Sequence, residues 1–443
     1  MKFSLNALNE SLANARKYKN LIVGFSGGLD SSVLLHGVLA LVKKGLLQSQ
    51  IKAIHVNHRQ NSACNDWELF CNQVCAKYGV HLDVKAIEDF NHQSRNINEN
   101  LLRQARYQAF SSAIDSENGL LLAHHKDDQL ETLLLRLNRG AGIKGLSAMK
   151  KSRTIGAGHI YRPLLDFGRK SLEEFAKSEG LDWIEDSSNE DTSVDRNFLR
   201  HEILPRIESR WPNYRESWSK SLALLSEAYL TTESLAQDDI GALLEEQSQA
   251  LDISELIRLP SGRQRAVIKH WLLELKDIEI GWNQLFQIVD EFLPAAVASP
   301  TNFALGDYQV SSFRGLLYLV STASPPLDDC PWNINEKQEL ALVNNGLLRA
   351  TETLGEGISS GLVGNLEVKF RTGGENFKIA GGRSKSLKQV LQEAHVEPWM
   401  RARTPLLFRN DELVCVVGIG VSDSVRVESG RKGYSISWRK PQP

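Results

Sequence analysis

Short apolar runs alternate with helix-spaced apolar positions over the first two hundred residues. LIVGF (21–25), KAIHV (52–56), HLDVKAI (81–87) and LLLAH (120–124) read as strands. Between them, 31–47, 65–79 and 97–114 read as helices. Strands that alternate with helices predict an α/β domain built on a doubly wound parallel sheet, whose ligands bind at the carboxyl ends of the strands. From 216 to 293 the pattern turns to helix, with Leu-Ala-Leu-Leu at 222–225 and Val-Ile-Lys-His-Trp-Leu-Leu at 267–273. Short strands are expected over 301–320, and SPPLDDCPW (324–332) reads as a linker. The last part, from about 335, mixes short apolar runs with glycines and is expected to be a small α+β domain. The expected division is therefore 1–215, 216–323 and 335–443.

Composition narrows the class. A chain of 443 residues with 42% hydrophobic content can build two or three cores. No run of about 18 apolar residues predicts a membrane span, and the polar N-terminus lacks the apolar core of a secretory signal. Cytosol is the expected compartment. Five cysteines make no disulfide framework. Cys64, Cys71 and Cys75 share one side of an expected helix with Trp67, Val74 and Tyr78, and a buried thiol cluster is expected there rather than a metal site, because CxxC is absent. The formal net charge is only −2, yet positions 361–443 carry fourteen Lys and Arg against eight Asp and Glu. A basic terminal domain is consistent with nucleic-acid contact and equally with a solvated surface.

The candidate chemistry begins where the first strand ends, in Ser26-Gly27-Gly28-Leu29-Asp30-Ser31-Ser32. Two glycines let the backbone turn sharply and approach a ligand. The following helix presents unpaired N–H groups and a positive dipole end, and three serines add hydroxyl donors. This is a cradle for a multiply charged phosphate. It is not the lysine-bearing P-loop, since no lysine follows the glycines. Asp30 would repel phosphate unless Mg²⁺ lies between them, because hard cations bind both kinds of oxygen.

Further stretches follow in order. HVNH (55–58) ends the second strand, near where a nucleotide base would lie. RNINENLLRQARYQAF (95–110) puts Arg103 and Arg106 on one helix face, with Glu99 spaced to pair with Arg103. LAHHKDDQLET (122–132) follows a strand and opens a helix. Its His and Asp residues admit three readings: a metal site, dipole-stabilised caps, or carboxylates that hold Mg²⁺ or accept a proton. NRGAGIKGLSAM (138–149) is a second glycine-rich loop, and YRPLLDFGRKSL (161–172) leads from a strand into a helix. WIEDSSNEDTSVDRNFLRHEILP (183–205) gathers Asn189, Arg196, Asn197 and Arg200, suited to phosphates and bases.

SGGLDSS resembles the SGGxDS loop of the N-type ATP pyrophosphatases, which grip the pyrophosphate of ATP while the α-phosphate is attacked. With HVNH, the ARY helix, AHHKDDQLET, RGAGIKGL, RPLL and RNxxR in this order, the first 205 residues resemble the tRNA(Ile)-lysidine synthase family. FRTGGENFKIAGGRSKSLKQVLQEAHVEPWMRARTPLLF (370–408) resembles the last domain of its long form, while the middle is matched only by position. This chain departs from the family pattern at Arg59-Gln60, at Asp186-Ser187-Ser188-Asn189 and at Val194-Asp195.

The resemblance implies an adenine nucleotide alpha hydrolase-like fold and a two-step ligation on the wobble cytidine of an isoleucine tRNA with anticodon CAU. ATP adenylylates the C2 oxygen; the ε-amine of free lysine then displaces AMP, and codon reading moves from AUG to AUA. It implies catalytic roles for Asp30, Asp127, Asp128, Arg196 and Arg200. ATP would be held by Ser26, Gly27, Gly28, Leu29, Asp30, Ser31, Ser32, His55 and Asn57, with Mg²⁺ at Asp30. Contacts to tRNA or lysine would come from Arg103, Arg106, His124, His125, Glu131, Asn189, Asn197, Arg371, Lys388, Arg401 and Arg403. Lys378, Arg383, Lys385 and a stacking Trp399 would join the terminal set. Whether the chain forms a homodimer stays open. A tRNA-thiolating enzyme on the same loop would call for a Cys pair or CxxC, and an amidotransferase synthetase for a glutaminase segment; neither is found. A non-catalytic ATP- or RNA-binding module would need the cradle but not the Asp127–Asp128 pair.

Overall fold

The computed structural model describes residues 2–57, 63–86, 99–246, 248–323 and 327–440. The chain divides into two compact units, 1–231 and 232–443.

The first unit opens with α1 (Leu5–Ser11), capped by Ser4, whose hydroxyl accepts the Ala7 amide. Then β1 (Asn20–Gly24), α2 (Leu29–Lys43), β2 (Gln50–Asn57), α3 (Ala63–Tyr78), β3 (His81–Ala86), α4 (Glu99–Ser112), β4 (Asn118–Leu121) and α5 (Lys126–Asn138) follow. A hairpin of β5 (Ser152–Ile155) and β6 (Gly158–Tyr161) leads into α6 (Arg169–Ser178). The sheet order is β3-β2-β1-β4-β6-β5, all parallel except β5. The order reverses between β1 and β4, and the crevice outside the carboxyl ends of strands at such a switch point is where open α/β sheets bind ligands.

Hydrophobic runs explain the layering. Leu21, Ile22 and Val23 are all buried, as expected of a strand covered on both faces. On one face Leu8, Leu12, Val33, Leu34, Val38, Phe167 and Leu172 form the larger core; on the other, Phe110, Ile114, Leu120 and Ile160 form a smaller one. The α/β expectation for this part holds, with strand limits shifted by one to three residues. LLLAH was expected to stay extended to 124, but β4 ends at Leu121, because the chain turns so that His125 can cap α5. Cys71 and Cys75 lie in the core as expected; the Cys64 side chain lies outside the described residues.

In the second unit, helices Ser261–Lys276 and Trp282–Gln287 pack with a five-stranded antiparallel sheet that includes Asn302–Leu305, Tyr308–Phe313 and Leu316–Ser321. Trp271, Ile288, Leu293, Val310 and Leu317 are buried in this core. The remainder forms antiparallel sheets around Trp332, Leu348, Val368 and Leu407, with a short helix Leu387–Glu393. The expected linker at 324–332 ends in a strand: Cys330–Trp332 pairs antiparallel with Leu366–Val368, and the buried Trp332 indole donates to the Lys337 carbonyl at 2.8 Å. Burying a tryptophan with its N–H satisfied outweighs the turn preference of the prolines. Among the described residues no helix is long and apolar enough to cross a membrane.

Candidate active site

The glycine loop joins β1 to α2 at the switch point. Gly27 has φ +81, a left-handed conformation that calls for glycine, and a Cβ there would also press on the Cys71 sulfur at 3.1 Å. Ile184 donates its amide to the Gly27 carbonyl at 2.9 Å, fixing the loop from outside. Ser31 Oγ donates to the Gly28 carbonyl at 3.0 Å and lies 3.1 Å from Ser26 Oγ. Leu29 is buried and anchors the first helical turn. Ser32 is buried too, and among the described residues its hydroxyl finds no partner.

His55 and Asn57 end β2, one strand over. His55 is buried, with Nδ1 2.9 Å from the Phe25 carbonyl; Asn57 donates to Glu68 at 2.7 Å. Both side chains therefore brace the loop and helix α3 in this structure. His58 lies outside the described residues.

The other half of the site is built on α5. His125 is its N-cap: Nδ1 accepts the Asp128 amide at 3.3 Å, and Asp128 Oδ2 accepts the His125 amide at 2.9 Å. His125 Nε2 then faces Asp30 Oδ2 and Asp128 Oδ2, each at 3.6 Å. This contact joins the β1 loop to the β4 helix. Burial opposes a charge on His125, but Asp128, Asp30 and Asp127 outweigh it and push the imidazole up to about 9. His124 goes the other way. Burial, helped by Arg162, Arg196 and Arg103 against the pull of Asp128, pushes it down to about 3. Adjacent histidines are thus pushed in opposite directions.

Asp128 and Glu131 stand one turn apart on α5, and Arg196 and Arg200 one turn apart on the facing helical segment. Arg196 reaches Asp128 at 2.8 Å and Glu131 at 2.6 Å; Arg200 reaches Glu131 at 2.8 Å. Glu131 is 1% exposed. Arg200 sits in a π-helical turn, Leu199–Ile203, which lets the second guanidinium share the same carboxylate. Burial raises Asp128, but His125 and Arg196 overcome it and hold the carboxyl down to about 2. Asp127 is tied elsewhere: Oδ2 accepts the Arg169 amide at 2.8 Å and Oδ1 accepts Arg215 Nε at 2.7 Å. Against burial, those two hydrogen bonds keep it low as well. Arg215, which also meets Glu208 at 2.6 Å, carried no motif and escaped sequence reading.

Asp30 differs from all of these. Its Oδ1 is enclosed and, among the described residues, has no hydrogen-bond partner. An unsatisfied carboxylate oxygen beside a phosphate cradle fits a divalent cation.

Other expected contact residues scatter. Asn197 turns inward and donates to the Asp191 carbonyl at 3.0 Å, and the exposed Asn189 accepts His201 through its carbonyl at 2.9 Å. Arg103 and Arg106 are exposed on α4; the Glu99 side chain lies outside the described residues. In the second unit, Arg371 approaches Glu375 at 3.8 Å, Lys378 meets Asp423 at 3.2 Å and Lys385 meets Glu393 at 2.6 Å. Arg401 donates to the Val396 carbonyl at 3.0 Å, and Arg403 to the Asn344 carbonyl. Arg383 and Lys388 are exposed. Trp399 packs its ring 5.0 Å from Tyr318 and 6.2 Å from Phe313.

A parallel sheet with SGGLDSS at the switch point and a carboxylate-bearing helix beside it defines the PP-loop class of ATP-using domains. Residues 2–207 match the PP-loop domain family; 251–318 match the TilS substrate binding domain and 366–438 the TilS substrate C-terminal domain. The chain belongs to the tRNA(Ile)-lysidine synthase family. It is 36% identical to the tRNA(Ile)-lysidine synthase of Legionella pneumophila (strain Paris) over 431 residues, covering 96% of this chain and 97% of that one. The same-named proteins of Coxiella burnetii (strain RSA 493 / Nine Mile phase I) and Serratia proteamaculans (strain 568) are 33% and 32% identical, each over at least 98% of both chains.

Proposed function

We propose that this chain ligates free lysine to C2 of the wobble cytidine of an isoleucine tRNA with anticodon CAU, at the expense of ATP. The observation that carries this reading is the meeting of two halves at the switch point: a phosphate cradle with the unsatisfied Asp30, and the His125–Asp128–Glu131 face of α5. Near-full-length kinship with the family supports it.

In the first step the β- and γ-phosphates lie against the loop amides and the hydroxyls of Ser26, Ser31 and Ser32, with Gly27, Gly28 and Leu29 shaping the loop and the base toward His55 and Asn57. Asp30 would hold Mg²⁺, which neutralises phosphate charge when bound. His125, whose Nδ1 accepts the Asp128 amide, directs its Nε2 toward Asp30 and Asp128 and so orients the carboxylates beside the departing pyrophosphate. The C2 oxygen of the cytosine attacks the α-phosphorus, the bond to pyrophosphate breaks, and C2 gains a good leaving group.

In the second step the lysine ammonium gives up a proton to solvent at the open mouth of the site, the free ε-amine attacks C2 to form the C–N bond, and the C2–O bond breaks so that AMP leaves. Asp127 and Asp128 are strong anions and weak bases, so their part is to draw in and orient the lysine ammonium. Arg196 and Arg200 hold Asp128 and Glu131 in place for it. Arg103, Arg106 and the exposed Asn189, with the basic end of the chain around Lys388, contact the tRNA, and Arg371, Asn197, Arg401 and Arg403 shape those surfaces. Functional division follows the expected segments 1–215, 216–323 and 335–443: catalysis, substrate binding and tRNA binding. The new substituent changes the hydrogen-bonding edge of the base, so reading moves from AUG to AUA.

Radiolabelled lysine, isoleucine tRNA with a CAU anticodon and ATP test this directly. ATP-dependent label on that tRNA and none on methionine tRNA is expected. Pyrophosphate release without label would overturn lysine as the nucleophile.

A further inference from the structure

Arg162, the arginine of Arg-Pro-Leu-Leu, follows β6 and is 4% exposed. Its Nη1 donates to the Lys150 carbonyl at 2.8 Å and its Nη2 to Tyr107 Oη at 3.4 Å, while Nε is enclosed without a partner. Among the described residues no carboxylate pairs with it; its charged neighbours are Arg153 and Arg103. All three converge on one ring. The guanidinium carbon of Arg153 lies 4.4 Å from the Tyr107 centroid and that of Arg103 5.5 Å, and both arginines are exposed. Burial alone would raise the Tyr107 phenol, but Arg162, Arg103 and Arg153 draw it below its ordinary value.

Three like charges around one ring, one of them desolvated, are unfavourable without an anion. A ring face offers only a weak substitute for a full negative charge. Guanidinium groups suit phosphate oxygens through paired planar donors. The ATP phosphates already have the glycine loop. The exposed Arg103 and Arg153 open this cluster to a polymer instead.

We propose that Arg103, Arg153 and Arg162, gathered on Tyr107, form a site for a backbone phosphate of the RNA whose base is modified. This rests on the function proposed above. Arg153 thereby joins Arg103 as a contact, and the enclosed Arg162 acts from inside by holding the ring and adding its charge.

Binding of the isoleucine tRNA to the full chain, measured at several salt concentrations, tests the site. Arg153→Gln should weaken binding about three- to tenfold and make the log K against log salt slope shallower by about 0.7–0.9. Arg153→Lys should restore part of both. Arg16→Gln, an exposed arginine bonded to Asn9, should leave the slope as it is. KM for ATP should not move. An unchanged slope in Arg153→Gln and in Arg103→Gln would overturn the proposal. So would a raised KM for ATP with RNA binding intact, which would give the phosphate to the nucleotide. Binding is read apart from lysine transfer, so wild-type chain that binds tRNA but attaches no lysine would sink the reaction while the slopes still decide the site.

Discussion

Two groups of arginines flank the same strand ends and live in opposite surroundings. Arg196, Arg200 and Arg215 are saturated by carboxylates: Asp128, Glu131, Asp127 and Glu208 take every one of them at 2.6–2.8 Å. Arg103, Arg153 and Arg162 share a tyrosine, and among the described residues no carboxylate is shown to pair with them. The first group builds; its arginines are spent on fixing the α5 face in a single arrangement, the one that presents Asp127 and Asp128. Among the described residues the second group has no anion of its own. Asp30 is the acidic counterpart of the second kind, an enclosed oxygen with no partner among the described residues. Sign of charge therefore says little about role at this site, and satisfaction of charge says a good deal.

The contrast can be broken most severely at its two acidic poles. Asp30→Ala should cost about 10²–10³-fold in pyrophosphate release, several kcal/mol of transition-state stabilisation, with little change in urea stability. A variant that releases pyrophosphate near the wild-type rate would remove Asp30 from the second kind. Glu131→Gln should do the reverse. It leaves two guanidiniums short of their buried partner and should lose about 3–5 kcal/mol in urea unfolding. A loss under about 1 kcal/mol would mean the lattice is not the scaffold described here.

Acid sharpens the picture further. The Asp128 carboxyl sits near 2 against an ordinary 3.8, so its contribution is fully present above about pH 4 and fades as pH falls toward 2. That contribution is about 2 kcal/mol. Asp128→Asn should flatten the acid limb of stability by that amount, and an unaltered limb would show that the contacts with His125 and Arg196 are weak. The smallest effect concerns the thiols behind the loop. Burial pushes Cys71 up to about 12 and Cys75 to about 11, so neither should alkylate appreciably at pH 8 in the native chain. Peptide mapping after iodoacetamide would check this, with the half-buried Cys330 as the faster internal reference.

Much of the site was legible in the order of residues. Gly27 had to be glycine for a turn at positive φ, Asp30 had to face something cationic, and strand–helix alternation put both at a strand end. Local spacing carries such features because a turn or a helix start involves only a few consecutive residues. Asp128 and Glu131 at three apart, and Arg196 and Arg200 at four, were visible as two helix faces, but nothing in the chain said that the faces meet. His124 and His125 were equally indistinguishable as neighbours. Their shifts part because burial, helped by Arg162, Arg196 and Arg103, wins at His124, while Asp128, Asp30 and Asp127 outweigh burial at His125.

Sequence by itself determined the α/β alternation, the cradle and the family likeness, since each rests on short-range periodicity and on backbone freedom at named glycines. Only the tertiary structure decided which charges are spent and which are open. It brought Arg215 to Asp127 across 88 positions and left Arg162 enclosed beside Tyr107 across 55. Electrostatic satisfaction is a property of distance and burial, and both are created when the sheet assembles.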